Sequence, residues 1–175
     1  MRRLGAAISA GALTIVIAST AHAETSKTFA VSATIAAGCA VDGLGTSGSA
    51  GTMGTLTFPS QPSVATTTLQ ANISGSQAIV LRCTPGVSLT MSIDGGLHAA
   101  TGRTLQLGTT ANRLAYSLCA DAGCAQAIGI NQAISIAVTS TNMNNVRLPV
   151  YGRLTLPGTT PPGTYTDTLT VTLSW

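Results

Sequence analysis

Five sets of residues in this chain have types and spacings that could support chemistry. Cys39, Cys83, Cys119 and Cys124 form an even set, able to close two disulfides or to hold a metal. His98 could serve a nucleophilic triad, and Asp94 with Asp167 could act as an acid and base pair. The run GLGTSG, Gly43 to Gly48, matches the G-x-G-x-x-G of dinucleotide sites, and Asn72-Ile73-Ser74 fits a glycosylation sequon.

Most of these lose their force in context. A dinucleotide fingerprint needs a strand feeding a helix, whereas more glycine and serine follow Gly48. A triad would need His98, and a lone loop histidine such as this one, in DGGLHAA, is far more often a solvent-facing residue. Asp94 before two glycines reads as a turn residue, and Asp167 as the wet start of a strand. The sequon is too short to carry weight. No residue set calls for a cofactor, a metal or a small-molecule substrate.

The cysteines are different. C-x4-C without a CxxC or a histidine pair is a poor zinc site. In an exported chain four cysteines imply two disulfides, with three possible pairings. Spacing favours Cys119 with Cys124, across the loop CADAGC, and Cys39 with Cys83.

Export is expected from the first residues. MRR is a basic start, an apolar run follows, and AHA at Ala21 to Ala23 is a small-x-small cleavage site. The apolar run is shorter than the roughly 20 residues of a membrane span. Residues 1 to 23 are therefore expected to be a signal peptide. Its removal takes Arg2 and Arg3 and lowers the formal charge from +3 to +1. The remaining cations are scattered singly, which excludes a nucleic-acid surface.

The elements that position these residues are strands. Of 175 residues 45% are hydrophobic and only 7% charged, enough for a core and too apolar for disorder. Helical periodicity is absent after the leader, whereas alternation recurs. It places Leu89, Met91 and Ile93 on one face, Ile134, Ile136 and Val138 on another, and Val146, Leu148, Val150, Leu154 and Leu156 on a third, with Gly152 at an expected bend or bulge. Short strands separated by glycine-rich turns predict an all-β, two-sheet sandwich of immunoglobulin type.

The clearest strand is the last. From Thr164 to Trp175 the even positions are threonine or serine, and the odd ones are Tyr165, Asp167, Leu169, Val171, Leu173 and Trp175. No partner strand follows it, so the sandwich is expected to be incomplete, with a groove where a final strand should lie. A strand from another molecule can fill such a groove, main-chain bonds giving the pairing and alternate side chains entering pockets. TFAVSATI, Thr28 to Ile35, has the form of such a donor: it is uncharged, with Phe29, Val31, Ala33 and Ile35 on one parity. Burying each of the three larger side chains is worth about 1.5 to 3 kcal/mol before entropy losses. The same pattern also fits an ordinary first strand of its own domain.

GCAV after that segment, then MGTLTF, IVLRC, MSIDGG, RTLQL, LAYSL, PVYGRL and PPGTYTDTLTVTLSW, together resemble the spore coat protein U domain family. The resemblance runs in order along the chain after its leader. It implies an incomplete immunoglobulin-like pilin of an archaic chaperone-usher pilus, completed by donor-strand complementation. Residues 24 to 36 would be the donor segment, with Phe29, Val31, Ala33 and Ile35 as plugs, and residues 37 to 175 the sandwich. The acceptor groove would include Leu169, Val171, Leu173 and Trp175. The implied partners are a periplasmic chaperone, an outer-membrane usher and further copies of the chain. The implied place is the cell surface, and the implied purpose is attachment and biofilm formation. The family also commonly has a disulfide like Cys39 to Cys83.

A secreted coat or matrix protein of the same fold is the alternative. A carbohydrate-binding module should show clustered exposed aromatics, and none is visible in the strand patterns. A small exported hydrolase would depend on His98. Replacing His98 with Ala is expected to leave assembly intact and stability unchanged within about 0.5 kcal/mol; loss of assembly on that single change would contradict the non-enzymatic reading.

Overall fold

Alternating side chains and turn-forming residues divide the chain into short strands. The computed structural model describes residues 26–41, 47–49, 51–73 and 80–175, and these contain ten strands and no helix. The leader expected over residues 1–23, most of the glycine loop at 42–46, and Ser74 of the sequon lie outside the described residues. The chain divides into two units, Met1–Thr34 and Ile35–Trp175. Within the first, residues 26–34 form no strand and are exposed.

The second unit holds three antiparallel sheets. The largest has five strands: β2 (Thr68–Asn72), β8 (Tyr151–Thr155), β6 (Arg113–Cys119), β5 (Arg103–Leu107) and β9 (Tyr165–Thr166), in that order. The second runs β10 (Val171–Ser174), β4 (Leu89–Ile93), β7 (Ile134–Ile136). β1 (Cys39–Val41) and β3 (Leu81–Cys83) make the third. The expected all-β character is present.

The core follows the alternation. Leu89, Met91 and Ile93 of β4 are buried, and Leu81, Ile136, Val138, Val146 and Val150 join them in one cluster. Leu114, Leu154 and Leu156 form a smaller cluster on the five-stranded sheet. Both expected cysteine pairs are bonded. Cys39 and Cys83 lie directly opposite each other in the β1 and β3 ladder, with Cα atoms 4.0 Å apart. Cys119 and Cys124 close the loop after β6, where the Asp121 carboxylate accepts the Ala125 and Gln126 amides at 3.1 and 2.6 Å. These bonds hold its pKa below the ordinary carboxylate value.

Two expectations are corrected. Gly152 marks neither a bend nor a bulge: it pairs in continuous register with Ala71 on one side and Leu118 on the other. It is glycine because a Cβ there would lie 2.8 Å from Leu56 Cδ2 and 2.9 Å from Phe58 Cζ, so these side chains pack onto bare backbone. The segment from Thr164 is not one strand. β9 belongs to the five-stranded sheet and β10 to the three-stranded one, and residues 167–170 carry the chain between them. The alternation survives this switch, since Tyr165, Asp167, Leu169, Val171 and Leu173 are all half-buried and the threonines between them exposed.

In the loop-entropy account the Cys39–Cys83 bridge, 44 residues apart, constrains the unfolded chain by about 4 kcal/mol, and the Cys119–Cys124 bridge by about 2. Paired Cys→Ser replacement is therefore expected to lower the urea midpoint more at Cys39 and Cys83 than at Cys119 and Cys124. Equal midpoints would contradict it.

Candidate functional site, a groove beside the last strand

Among the described residues β10 is an edge strand, and its alternation decides what its open side offers. Thr170 and Thr168 turn their carbonyls toward the β4 side, where they accept the Asp94 and Leu97 amides at 3.1 and 3.0 Å. Successive backbone groups point in opposite lateral directions. The N–H and C=O groups of Leu169, Val171 and Leu173 therefore face the open edge, and so do their half-buried side chains face the interior.

Beside this edge lies a cavity of about 860 Å3. Leu169, Val171 and Leu173 form one wall, Met53, Leu56 and Phe58 line it as well, and Ile73, Leu105, Leu118 and Val150 contribute apolar surface. A second cavity of about 540 Å3, floored by Leu69, Leu114, Leu154 and Leu156, shares Thr55, Leu56, Phe58, Leu105 and Asp167 with the first. Together the two line residues 163–173 as a trough with leucines and a phenylalanine among threonines. Such a trough suits an extended, apolar strand.

A polar cluster stands where the chain switches sheets. The Tyr116 hydroxyl donates to Asp167 Oδ2 at 2.8 Å, and the His98 amide donates to Asp167 Oδ1 at 3.2 Å. Asp94 Oδ1 accepts the Gly96 and Thr170 amides, both at 3.0 Å. Asp167 is thus half-buried and bonded, which corrects the expectation of a wet strand start; Asp94 turns the chain as expected. Gly96, at φ +83°, must be glycine, because a Cβ would lie 2.1 Å from Asp167 Oδ2. Arg103 is buried and donates to the carbonyls of Asp94, Ile93, Ile128 and Gly129. Burial lowers its pKa, opposed by the nearby Asp94 and Asp167 carboxylates. The His98 carbonyl accepts from Thr104 and Arg113. Apart from the bond between the Tyr116 and Asp167 side chains, each of these contacts engages backbone, so the cluster holds the chain where it changes sheets.

The residues singled out from sequence separate into two groups. Leu169, Val171 and Leu173 line the cavity. Trp175 stands outside that lining, 40% exposed, with its indole against Gly38, where a Cβ would lie 3.3 Å from Nε1. Phe29, Val31 and Ile35 are 86, 82 and 95% exposed, and Ala33 is exposed too. Sequence reasoning missed the opposite wall, because positive φ at Gly54 shifts the alternation between Met53 and Leu56. Nothing in RTLQL signals that Arg103 is buried.

A family model described as Spore Coat Protein U domain matches residues 25–172. The match spans the exposed Thr28 to Ile35 segment and, of the wall of the trough, Leu169 and Val171. No curated protein matches the chain.

Burial, and next the bond to Asp167, push the Tyr116 pKa up. A folded pKa above the unfolded value near 10 means that the native state holds its proton longer, so this stabilisation is complete below about pH 10 and is lost as pH rises beyond it. Tyr116→Phe is expected to cost about 1 to 2 kcal/mol at pH 7. It should also flatten the fall of stability above pH 10, measured by urea denaturation. An unchanged alkaline slope would contradict the assignment.

Proposed function

Because the chain belongs to the Spore Coat Protein U domain family, a family of structural pilus and coat proteins, we propose that it is a non-enzymatic pilus subunit that polymerises by donor-strand exchange. The observation that carries this reading is the open edge of β10. One set of alternate residues offers to one side backbone groups with no partner among the described residues, and half-buried apolar side chains to a long trough. Thr28 to Ile35, uncharged and alternating, with Phe29, Val31 and Ile35 exposed, supplies a complementary strand.

In this reading the strands form an incomplete immunoglobulin-like sandwich, closed by a segment from the next copy. Val31, Ala33 and Ile35 enter the trough opposite Leu173, Val171 and Leu169, and Phe29 lies toward Trp175 at its mouth. The direction is antiparallel to β10 for a mechanical reason. Each body's own segment departs at Ile35 to Gly38, beside Trp175. A parallel insertion would bring the next body to that same end, so two links would compete for one place; an antiparallel one brings it to the opposite end. Head-to-tail contacts of this kind do not close and give filaments. After cleavage at Ala23 a periplasmic chaperone would lend the missing strand and an outer-membrane usher would direct its exchange. The fibre would serve attachment and biofilm formation at the cell surface.

A chain without residues 24–35 is expected to remain unstable until a peptide of residues 28–35 is added, and then to elute from size exclusion as a folded monomer. The same peptide with Val31→Asp should bind at least about 100-fold more weakly, because a carboxylate enters an apolar pocket. A truncated chain that is already stable and ignores both peptides would contradict the proposal.

A further inference from the structure

Strand exchange leaves little slack between neighbouring bodies. From Ile35 to Cys39, which is buried and disulfide-bonded in its own body, the chain takes four steps. Fully extended, these span at most about 14 Å. The body that donates a segment is therefore held against the end of the trough that receives Ile35. With the segment antiparallel to β10, that end is Leu169, next to Thr168, whose carbonyl takes the Leu97 amide at 3.0 Å.

Two large apolar side chains project at this end. Leu97 is 75% exposed, and Ile130, 42% exposed, packs beside Gly95 two residues before it. At the opposite end, where the segment leaves its own body, Ala36 and Ala37 are exposed and Trp175 lies partly exposed over Gly38. None of the five side chains carries a charge, and the tether brings the two ends within reach of each other in every link. A contact too small to form between free molecules forms readily when a short link holds its halves at high effective concentration.

Resting on the strand-exchange reading, we infer that Leu97 and Ile130 form a second contact between bodies, which receives Ala36, Ala37 and Trp175 of the next copy of this chain. The groove joins the subunits, and this contact fixes the angle between them. A strand seated on β10 alone could swing about residues 36–38; apolar packing on both sides of that hinge makes the fibre stiff.

The test uses the full chain, assembled with its disulfides intact, and compares it with Leu97→Asp and with Leu97→Asp combined with Ala37→Lys. Losing one buried leucine should weaken each link about tenfold, and mean fibre length, which varies as the square root of the link constant, should fall about threefold. The added lysine faces the new aspartate across the contact and should restore the native length. A free peptide of residues 28–35 should shorten native and variant fibres alike, since it competes for the groove and not for the contact. Fibres of Leu97→Asp at native length, or shortening that Ala37→Lys does not reverse, would overturn the contact while leaving the groove standing. A peptide without effect on native fibres would overturn the groove and the contact together.

Discussion

A strand edge with no partner among the described residues, beside a trough, is the condition on which the rest of this structure turns. Backbone N–H and C=O groups must find partners once water is excluded, and apolar side chains gain by leaving water. Along Leu169, Val171 and Leu173 both demands fall on the same residues. The side chains are half-buried against the main core cluster, and the backbone groups face outward. Only another strand can satisfy both together, because a loop or a helix could cover the trough but could not continue the ladder.

The polar cluster explains how the edge is held. The segment from Tyr165 to Ser174 leaves the five-stranded sheet at β9 and joins the three-stranded sheet at β10, so the same stretch of chain is the edge of both. At the switch Asp167 is gripped by Tyr116 and the His98 amide, Asp94 holds the Thr170 amide, and Arg103 ties together the carbonyls beneath. These bonds work where the ladder is interrupted. They keep the side-chain alternation in phase across the switch, so that one continuous face lines the trough. The Cys39–Cys83 bridge anchors the start of the body, close to the point where the exposed segment leaves it.

Much of this was legible in the sequence because period-two alternation reports burial directly. The buried set of β4, the cysteine partners and, Trp175 excepted, the inner face of the final segment lie where hydrophobicity and spacing place them. What was not legible depends on contacts across the fold. Gly152 resembles a bulge in sequence, but the side chains of Leu56 and Phe58, nearly a hundred residues away, require its missing Cβ. Asp167 looks solvent-facing until Tyr116 and the backbone of the turn after β4 are brought to it. Alternation continues unbroken through residues 167–170, so it cannot show that the chain changes sheets there. The second wall of the trough was hidden for a local reason, the phase shift at Gly54.

Residue-resolved hydrogen exchange of the assembled chain tests the central claim most directly, because β10 contains its own control. The amides of Thr172 and Ser174 face β4, and those of Val171 and Leu173 face the open edge. If a neighbouring copy completes the strand, all four exchange slowly and at similar rates. If Val171 and Leu173 exchange quickly while Thr172 and Ser174 stay protected, the edge is unfilled in the assembly and the account is wrong.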